Sequence, residues 1–367
     1  MTEELSRTSA LAGRHTALGS GLEDWNGMGT AWEYSSDACD EHDAVREAAG
    51  LFDMSPLKKV HVRGADAASV VDHVATRDLS TVAPGQSAYG AVLTEAGTVA
   101  DDAIVANMGG DHWLFVHGSG ASMELLGESG AGRDVSIELD DDLHDLSLQG
   151  PSALGLLDAH STADLAGLGY FHQVDTELFG HACTISRTGY SGERGYEVFV
   201  GADAVGDVWD QILGHGAALG VMPCSFTALD KVRIEAALLF YGYDMNDEHT
   251  PWEAGLGWSL SRSGGFRGAD AAAASRGAER HVVAGISVAH DDMVVGEELL
   301  ILDGAEVGVV NSPAWSHRLQ KSLALVHLTP SAAAPGTTLE VVGDGVTHAA
   351  TVEAIPFFDP TKSRTHA

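Results

Sequence analysis

The sequence predicts an α+β protein of two or three domains that ends in a small β-barrel or sandwich. Three observations carry this reading. The chain has 367 residues with 44% hydrophobic content, enough for more than one core. Its first 260 or so residues mix helical periodicity with short alternating strands. Beyond residue 280 only alternating strands remain: HVVAGISV, ELLILDGAEVGVVNS, KSLALVHLTP and TTLEVVGDGVTHAATVEAIPF.

Taken in order, residues 37–50 (DACDEHDAVREAAG) read as a helix, with Asp37 placed to cap it and Gly50 to close it. VHVRG (60–64) alternates as a strand, and GADAASVVDHVA (64–75) reads as a helix opening a second compact unit. Residues 88–118 give three short strands broken at Glu95-Ala96-Gly97 and Gly109-Gly110-Asp111, a meander pattern. The acidic run Asp140-Asp141-Asp142 reads as a solvated connection before LHDLSLQGPSALGLLD, a strand running into a helix near Pro151. A strand pair (181–200) and helices at 203–218 and 226–238 follow. The Gly-, Ala-, Ser- and Arg-rich stretch 261–280 lacks apolar periodicity and marks a domain boundary.

Composition excludes several classes of function. Cys39, Cys183 and Cys224 are odd in number and far apart, with no Cys-x-x-Cys or Cys/His ligand spacing, so neither a disulfide framework nor a metal site is expected. Met1 to Arg14 carries acids and no continuous apolar run, and no window approaches the roughly 20 apolar residues of a spanning helix. A soluble, cytoplasmic protein in a reducing compartment is expected. Fifty-three acids against 20 Lys and Arg give a formal net charge of -33, which repels nucleic acid and anionic membranes. The acids are spread along the chain and only five lysines occur, a pattern like the solvated surface of a halophilic protein. An acidic face for a cationic partner is the alternative.

No GxGxxG follows a strand, no GxxxxGK[ST] is present, and no GxSxG frames a serine. The pair Asp101-Asp102 is more informative. Neighbours on a strand point to opposite faces, so one acid can face solvent while the other points inward. An inward carboxylate needs a partner to offset its burial, and beside a bound amine or pterin nitrogen it becomes a proton acceptor or charge stabiliser. On spacing alone an acidic turn is the simpler account. In RTGYSGERGYEVFV (187–200), Glu197 could accept paired N–H donors from a flat heterocycle with aromatics alongside; an ordinary polar hairpin fits the same pattern.

An ordered set of segments goes further: AVREAAGLFDMS (44–55), VRGADA (62–67), PGQSAYGAVLTEAGTVADDAIV (84–105), RTGYSGERGYEVFV (187–200), ALDKVRIEAALLFYGYDMNDEHTPWEAGLGWSL (228–260), GVVNSPAWSHRLQKSLALVHL (308–328) and IPFFDPTKSR (355–364). Together they resemble the aminomethyltransferase family over nearly the whole chain. That family includes the glycine cleavage T-protein, folate-dependent demethylases, and the C-terminal halves of dimethylglycine and sarcosine dehydrogenases. The resemblance implies an α+β three-domain cloverleaf with tetrahydrofolate in a central cavity. Its domains would be 1–55 with 143–262, 56–142, and 275–367. It places the essential aspartate at Asp102 and the pterin-gripping glutamate at Glu197. Val116, Tyr190 and Tyr241 fall at further folate-side positions.

The departures from the T-protein pattern point to the donor. SFTALD puts Leu229 where a GLGARD arginine would anchor the folate tail, YGYD puts Tyr243 in place of an amide, and DMSPLK replaces DVSHMG at 53–58. These favour a small N-, S- or O-methylated donor, with Tyr243 as a substrate contact, and methyl transfer to N5 of tetrahydrofolate. The alternative is the T-protein reaction itself, with an aminomethyl-lipoyl carrier protein as partner and methylene-tetrahydrofolate as product. A non-catalytic folate-binding relative is the third reading, although the Lys-Gly-Cys-Tyr-x-Gly-Gln motif of such proteins is absent. With no flavin domain fused to the chain, oxidation of a donor is expected to lie with a separate enzyme.

Overall fold

The computed structural model describes residues 5–343 and 345–367, so the first residues of the expected first domain, 1–4, lie outside it. Two large sheets and a closed barrel carry the fold, beside a two-stranded sheet of Glu23–Trp25 and Met28–Thr30. A six-stranded sheet runs in the order Gln173–Leu178, His181–Ser186, Gly195–Gly201, Leu143–Gln149, Gly50–Asp53, Met222–Pro223; its last pair is parallel and the others antiparallel. Leu51, Leu146, Leu148, Ile185 and Val198 on one face pack under Leu156, Leu157, Val208, Trp209 and Ile212 of two helices. Because Gly50–Asp53 pairs directly with Leu143–Gln149, everything between them leaves one sheet to build another and then returns.

That excursion is a five-stranded sheet ordered Gln86–Leu93, Val99–Gly109, His112–His117, Lys58–Arg63, Ser136–Leu139. Val60, Val62, Val92, Val105 and Phe115 bury one of its faces against Val70, Val71 and Leu126 from the helices Ala67–Val74 and Ser122–Gly130. The turn at Gly97 has φ +77°, a conformation that L side chains rarely adopt. Beyond residue 281 six strands close into a barrel rather than a sandwich, around Ile286, Leu300, Val326, Val341 and Val352.

Several local expectations are corrected. Asp37 does cap its helix by accepting from the Cys39 amide, but the helix is Ala38–Glu47 and Gly50 lies inside a strand. A Cβ on Gly50 would sit 2.5 Å from Val45 Cγ2 and 2.6 Å from Cys224 Sγ, so close packing, and not helix closure, is what demands glycine there. The strand expected at 60–64 starts at Lys58, which carries Lys59 into the interior, where its ammonium donates to the carbonyls of Ser55 and Leu57. In the boundary segment 261–280, Ala269–Ser275 forms a helix, because alanine needs no apolar periodicity to favour one. The strand Gln173–Leu178 was not foreseen. Among the described residues, no helix is long and apolar enough to cross a membrane.

Candidate functional site

A cavity of about 650 Å³ opens between the two sheets, closed by residues 238–241, 254–258 and the returning chain at 355–366. Its first wall is the second face of the five-stranded sheet. With one face committed to helices, alternation leaves Ser87, Tyr89, Asp102, Ile104, Ala106, Leu114 and Val116 facing the cavity.

The two adjacent acids are divided by this alternation, although neither ends in solvent as expected for one of them. Asp101 turns to the helix side and is fully buried. There it accepts from His117 Nδ1 at 2.8 Å, and from the Ser122 hydroxyl (2.7 Å) and amide (3.3 Å) at the start of a helix whose dipole favours a negative charge. Asp102 turns to the cavity and accepts from the Tyr89 hydroxyl at 2.9 Å. Burial and the neighbouring Asp101 push the Asp102 carboxyl up to about 7, against the pull of the Tyr89 hydrogen bond. The group is therefore poised to hold or release a proton near neutral pH.

The second wall is the six-stranded sheet's inner face, with Thr184, Ser186, Thr188, Glu197 and Phe199. Glu197 is 7% exposed, and its Oε2 accepts from the Thr188 hydroxyl. Burial pushes its carboxyl up and Thr188 pulls it back. Asp145 is fully buried on the same strand face, diagonal to Glu197 across the Phe199–Asp145 pair, and neither of its oxygens has a hydrogen-bond partner. Burial and the Glu197 charge push Asp145 well above the usual carboxylate range. Gln173 lines the cavity with its Oε1 buried and unpartnered, its amide nitrogen being spent on the carbonyls of Gln86 and Asn107.

Of the residues singled out in the sequence, Asp102, Val116, Tyr190, Glu197, Tyr241 and Leu229 all line this one cavity. The Tyr190 hydroxyl donates to the carbonyls of Leu238 and Leu239, and burial pushes the Tyr241 phenol up to about 12. Tyr243 is the exception. It is 59% exposed and is not among the lining residues; its ring lies against Phe240 and its carbonyl accepts from Asn311. The expected substrate contact at Tyr243 therefore does not reach the cavity, because the turn at Gly242 (φ +103°) carries residue 243 outward. Sequence reasoning missed Tyr89, Gln173, Asp145 and Trp258. Tyr89 had a signal, since strict alternation places it on the face of Asp102. Trp258 stacks on Tyr89 with ring centroids 6.2 Å apart and lies beneath the Arg77 guanidinium, 62% exposed at the cavity edge.

Known proteins resemble this chain over nearly its whole length. Residues 11–263 match the family described as GCVT N-terminal domain, and 281–359 the glycine cleavage T-protein C-terminal barrel domain. The chain is 44% identical to the heme-dependent oxidative N-demethylase gamma subunit of Ectopseudomonas mendocina, covering 98% of this chain and 97% of that one. It is 36% identical to the aminomethyltransferase of Streptomyces coelicolor, covering 98% and 99%. The fold matches glycine cleavage system aminomethyltransferase T from Bartonella henselae with a TM-score of 0.89 at 23% identity, covering 96% and 98%.

Proposed function

The chain belongs to the aminomethyltransferase family of the glycine cleavage T-protein, and from that premise we propose that it moves a one-carbon unit from a small N-methylated donor to N5 of tetrahydrofolate. The observation that carries this reading is the convergence of Asp102 and Glu197, from two different sheets, on one cavity. The residues present suit the cofactor. A volume of about 650 Å³ lies within the usual range for small-ligand sites. Glu197 offers an acceptor to a flat heterocycle rich in N–H donors. Arg187 and Lys362, also on the wall, are the cations available to an acidic tail where Leu229 offers none.

Tetrahydrofolate supplies the nitrogen nucleophile. In this reading Glu197 orients the ring, while Asp102 stabilises positive charge developing near it and takes the proton released. Tyr89 holds the Asp102 carboxylate in place for that step. The apolar wall of Ile104, Leu114, Val116 and Phe199 keeps water from the reacting carbon.

The similarity to a gamma subunit of an oxidative N-demethylase supports an N-methylated amine as the donor and a separate enzyme as the oxidant. A carbon oxidised beforehand by that separate enzyme would enter as formaldehyde and leave as methylene-tetrahydrofolate with loss of water; a methyl group on a quaternary nitrogen would leave as methyl-tetrahydrofolate, its C–N bond broken and the demethylated amine and the N5 proton released. The similarity to an aminomethyltransferase supports the second reading, with an aminomethyl-lipoyl carrier as donor. The test is folate-dependent turnover over a panel of N-methylated amines, with and without formaldehyde, alongside betaine, sulfonium and methoxyaromatic donors and the aminomethyl-lipoyl carrier. Folate products are identified by mass spectrometry. Turnover on the carrier alone would replace the proposal with the second reading, and no folate product from any donor would end both.

A further inference from the structure

Outside the folate-type cavity, three histidines far apart in the chain meet where the 240–260 segment touches the barrel. His249 precedes the turn at Pro251, His281 precedes the first barrel strand Val282–Val288, and His327 lies on the adjacent strand Lys321–Leu328, opposite Val283. One ring nitrogen from each lies within 4.8 Å of the other two, and the ring centroids are 4.5 to 4.9 Å apart. His249 and His327 are 8% and 5% exposed. His281 Nε2 is buried with no hydrogen-bond partner, and so is the Oδ1 of Asn311, whose amide nitrogen lies 3.3 Å from His327 Nδ1.

The surrounding bonds prepare these rings as ligands. His327 Nε2 donates to the Asp244 carbonyl at 2.8 Å, which fixes the tautomer and leaves on Nδ1 a lone pair that accepts from the Asn311 amide at 3.3 Å. His249 Nδ1 accepts from the Asn246 amide at 3.1 Å, so that ring also has an unprotonated nitrogen. The charged groups around the cluster are already matched: Glu253 with Arg280 at 2.9 Å and Asp244 with Arg233 at 2.6 Å. Burial holds all three imidazoles below their ordinary range, joined at His249 and His281 by the neighbouring rings.

We propose that His249, His281 and His327 bind a divalent transition-metal ion, zinc in the first instance, at the junction of the barrel with the rest of the chain. Imidazole nitrogens select ions of this class over magnesium or calcium. Zinc–nitrogen bonds of about 2.0–2.1 Å require the three nitrogens to draw in to roughly 3.3 Å of one another, which ring rotation supplies. His249 and His327 then exchange the Asn246 and Asn311 bonds for the metal, and the orphaned His281 nitrogen gains a partner. The ion would act as a clamp. The His249 carbonyl accepts from Val99, at the start of the strand that carries Asp102, and the Glu253 carbonyl accepts from Val283 of the barrel.

The experiment uses the full chain, free of any affinity tag and stripped with a chelator, titrated with zinc chloride against a chromophoric competitor; melting temperature is followed in parallel. The expected result is one zinc per chain and a higher melting temperature on binding, with affinity at least roughly tenfold weaker in His281→Gln and His249→Gln. His281 is half-buried, so its variant is the one most certain to fold; circular dichroism checks both. His317→Gln, in the separate His42, Asp43 and His317 cluster, should bind as the parent does. The proposal is overturned by absence of saturable binding in the parent, by undiminished binding in both folded variants, or by loss of binding in His317→Gln alone.

Discussion

The hydroxyl of Tyr89 reaches Oδ2 of Asp102 across 2.9 Å, from a position diagonal to it on the neighbouring strand. The bond aims the carboxylate at the cavity and favours its charged form, while burial and Asp101 work the other way. Asp102 therefore titrates near neutrality, and its behaviour is open to direct measurement.

Replacing Asp102 by Asn keeps the shape and removes the proton acceptor. Turnover is expected to fall about 10²–10⁴-fold. Folate affinity, measured by fluorescence quenching, should change by less than about threefold, because in the proposed roles the pterin is gripped by Glu197. An unchanged turnover number would remove Asp102 from the chemistry.

As a base, Asp102 must be ionised, so kcat/KM in the parent should rise with pH through about 7. Tyr89→Phe removes the bond that favours ionisation. The rising limb should then move to higher pH, with the plateau reached later. A limb that stays in place would show that Tyr89 does not act on the carboxylate.

The same raised value predicts a stability signature. A carboxyl whose folded value lies above its unfolded value of 3.8 destabilises the fold as pH rises from about 4 to about 7, and by a constant amount above that. Asp102→Asn should therefore raise the melting temperature at pH 8 and leave it unchanged near pH 3.5. The full shift corresponds to at most about 4 kcal/mol, less whatever water in the cavity screens.

Glu197→Gln replaces a charged acceptor with a neutral one in a buried site. Folate binding should weaken by about 10–100-fold, as expected for loss of a charge-assisted bond, with a smaller effect on turnover at saturating folate. Equal folate affinity in the variant and the parent would place the ring elsewhere.

A net charge of -33 on a chain of this length repels itself at low ionic strength. Screening tightens from about 10 Å at 0.1 M salt to about 3 Å at 1 M, so the melting temperature should climb from dilute buffer to molar sodium chloride. A flat profile would mean that the acids are spaced widely enough not to matter.

The ordered motifs made the family, the fold class and the candidate pair Asp102 and Glu197 legible in the sequence, because alternation and turn glycines are local and the motifs survive in linear order. Composition and the barrel's short alternating strands were legible for the same reason. The closing of the 37–50 helix was not, since Gly50 is required by contacts with Val45 and Cys224, the latter 174 positions away. Tyr243 was misplaced because whether a side chain enters the cavity depends on the turn at Gly242 and not on its neighbours in the chain.

What the sequence determined by itself, then, was the set of parts: two acids side by side on a strand, a glutamate entering another strand, and a terminal run of barrel strands. Only the tertiary structure decided their roles in space. It turned Asp101 onto His117 and Ser122 and Asp102 onto Tyr89 and the cavity, because helices cover only one face of the sheet. It brought Glu197 to the opposite wall and gathered His249, His281 and His327 from stretches with no common spacing. Such meetings depend on long-range packing, which fixes distances between residues that local pattern leaves independent.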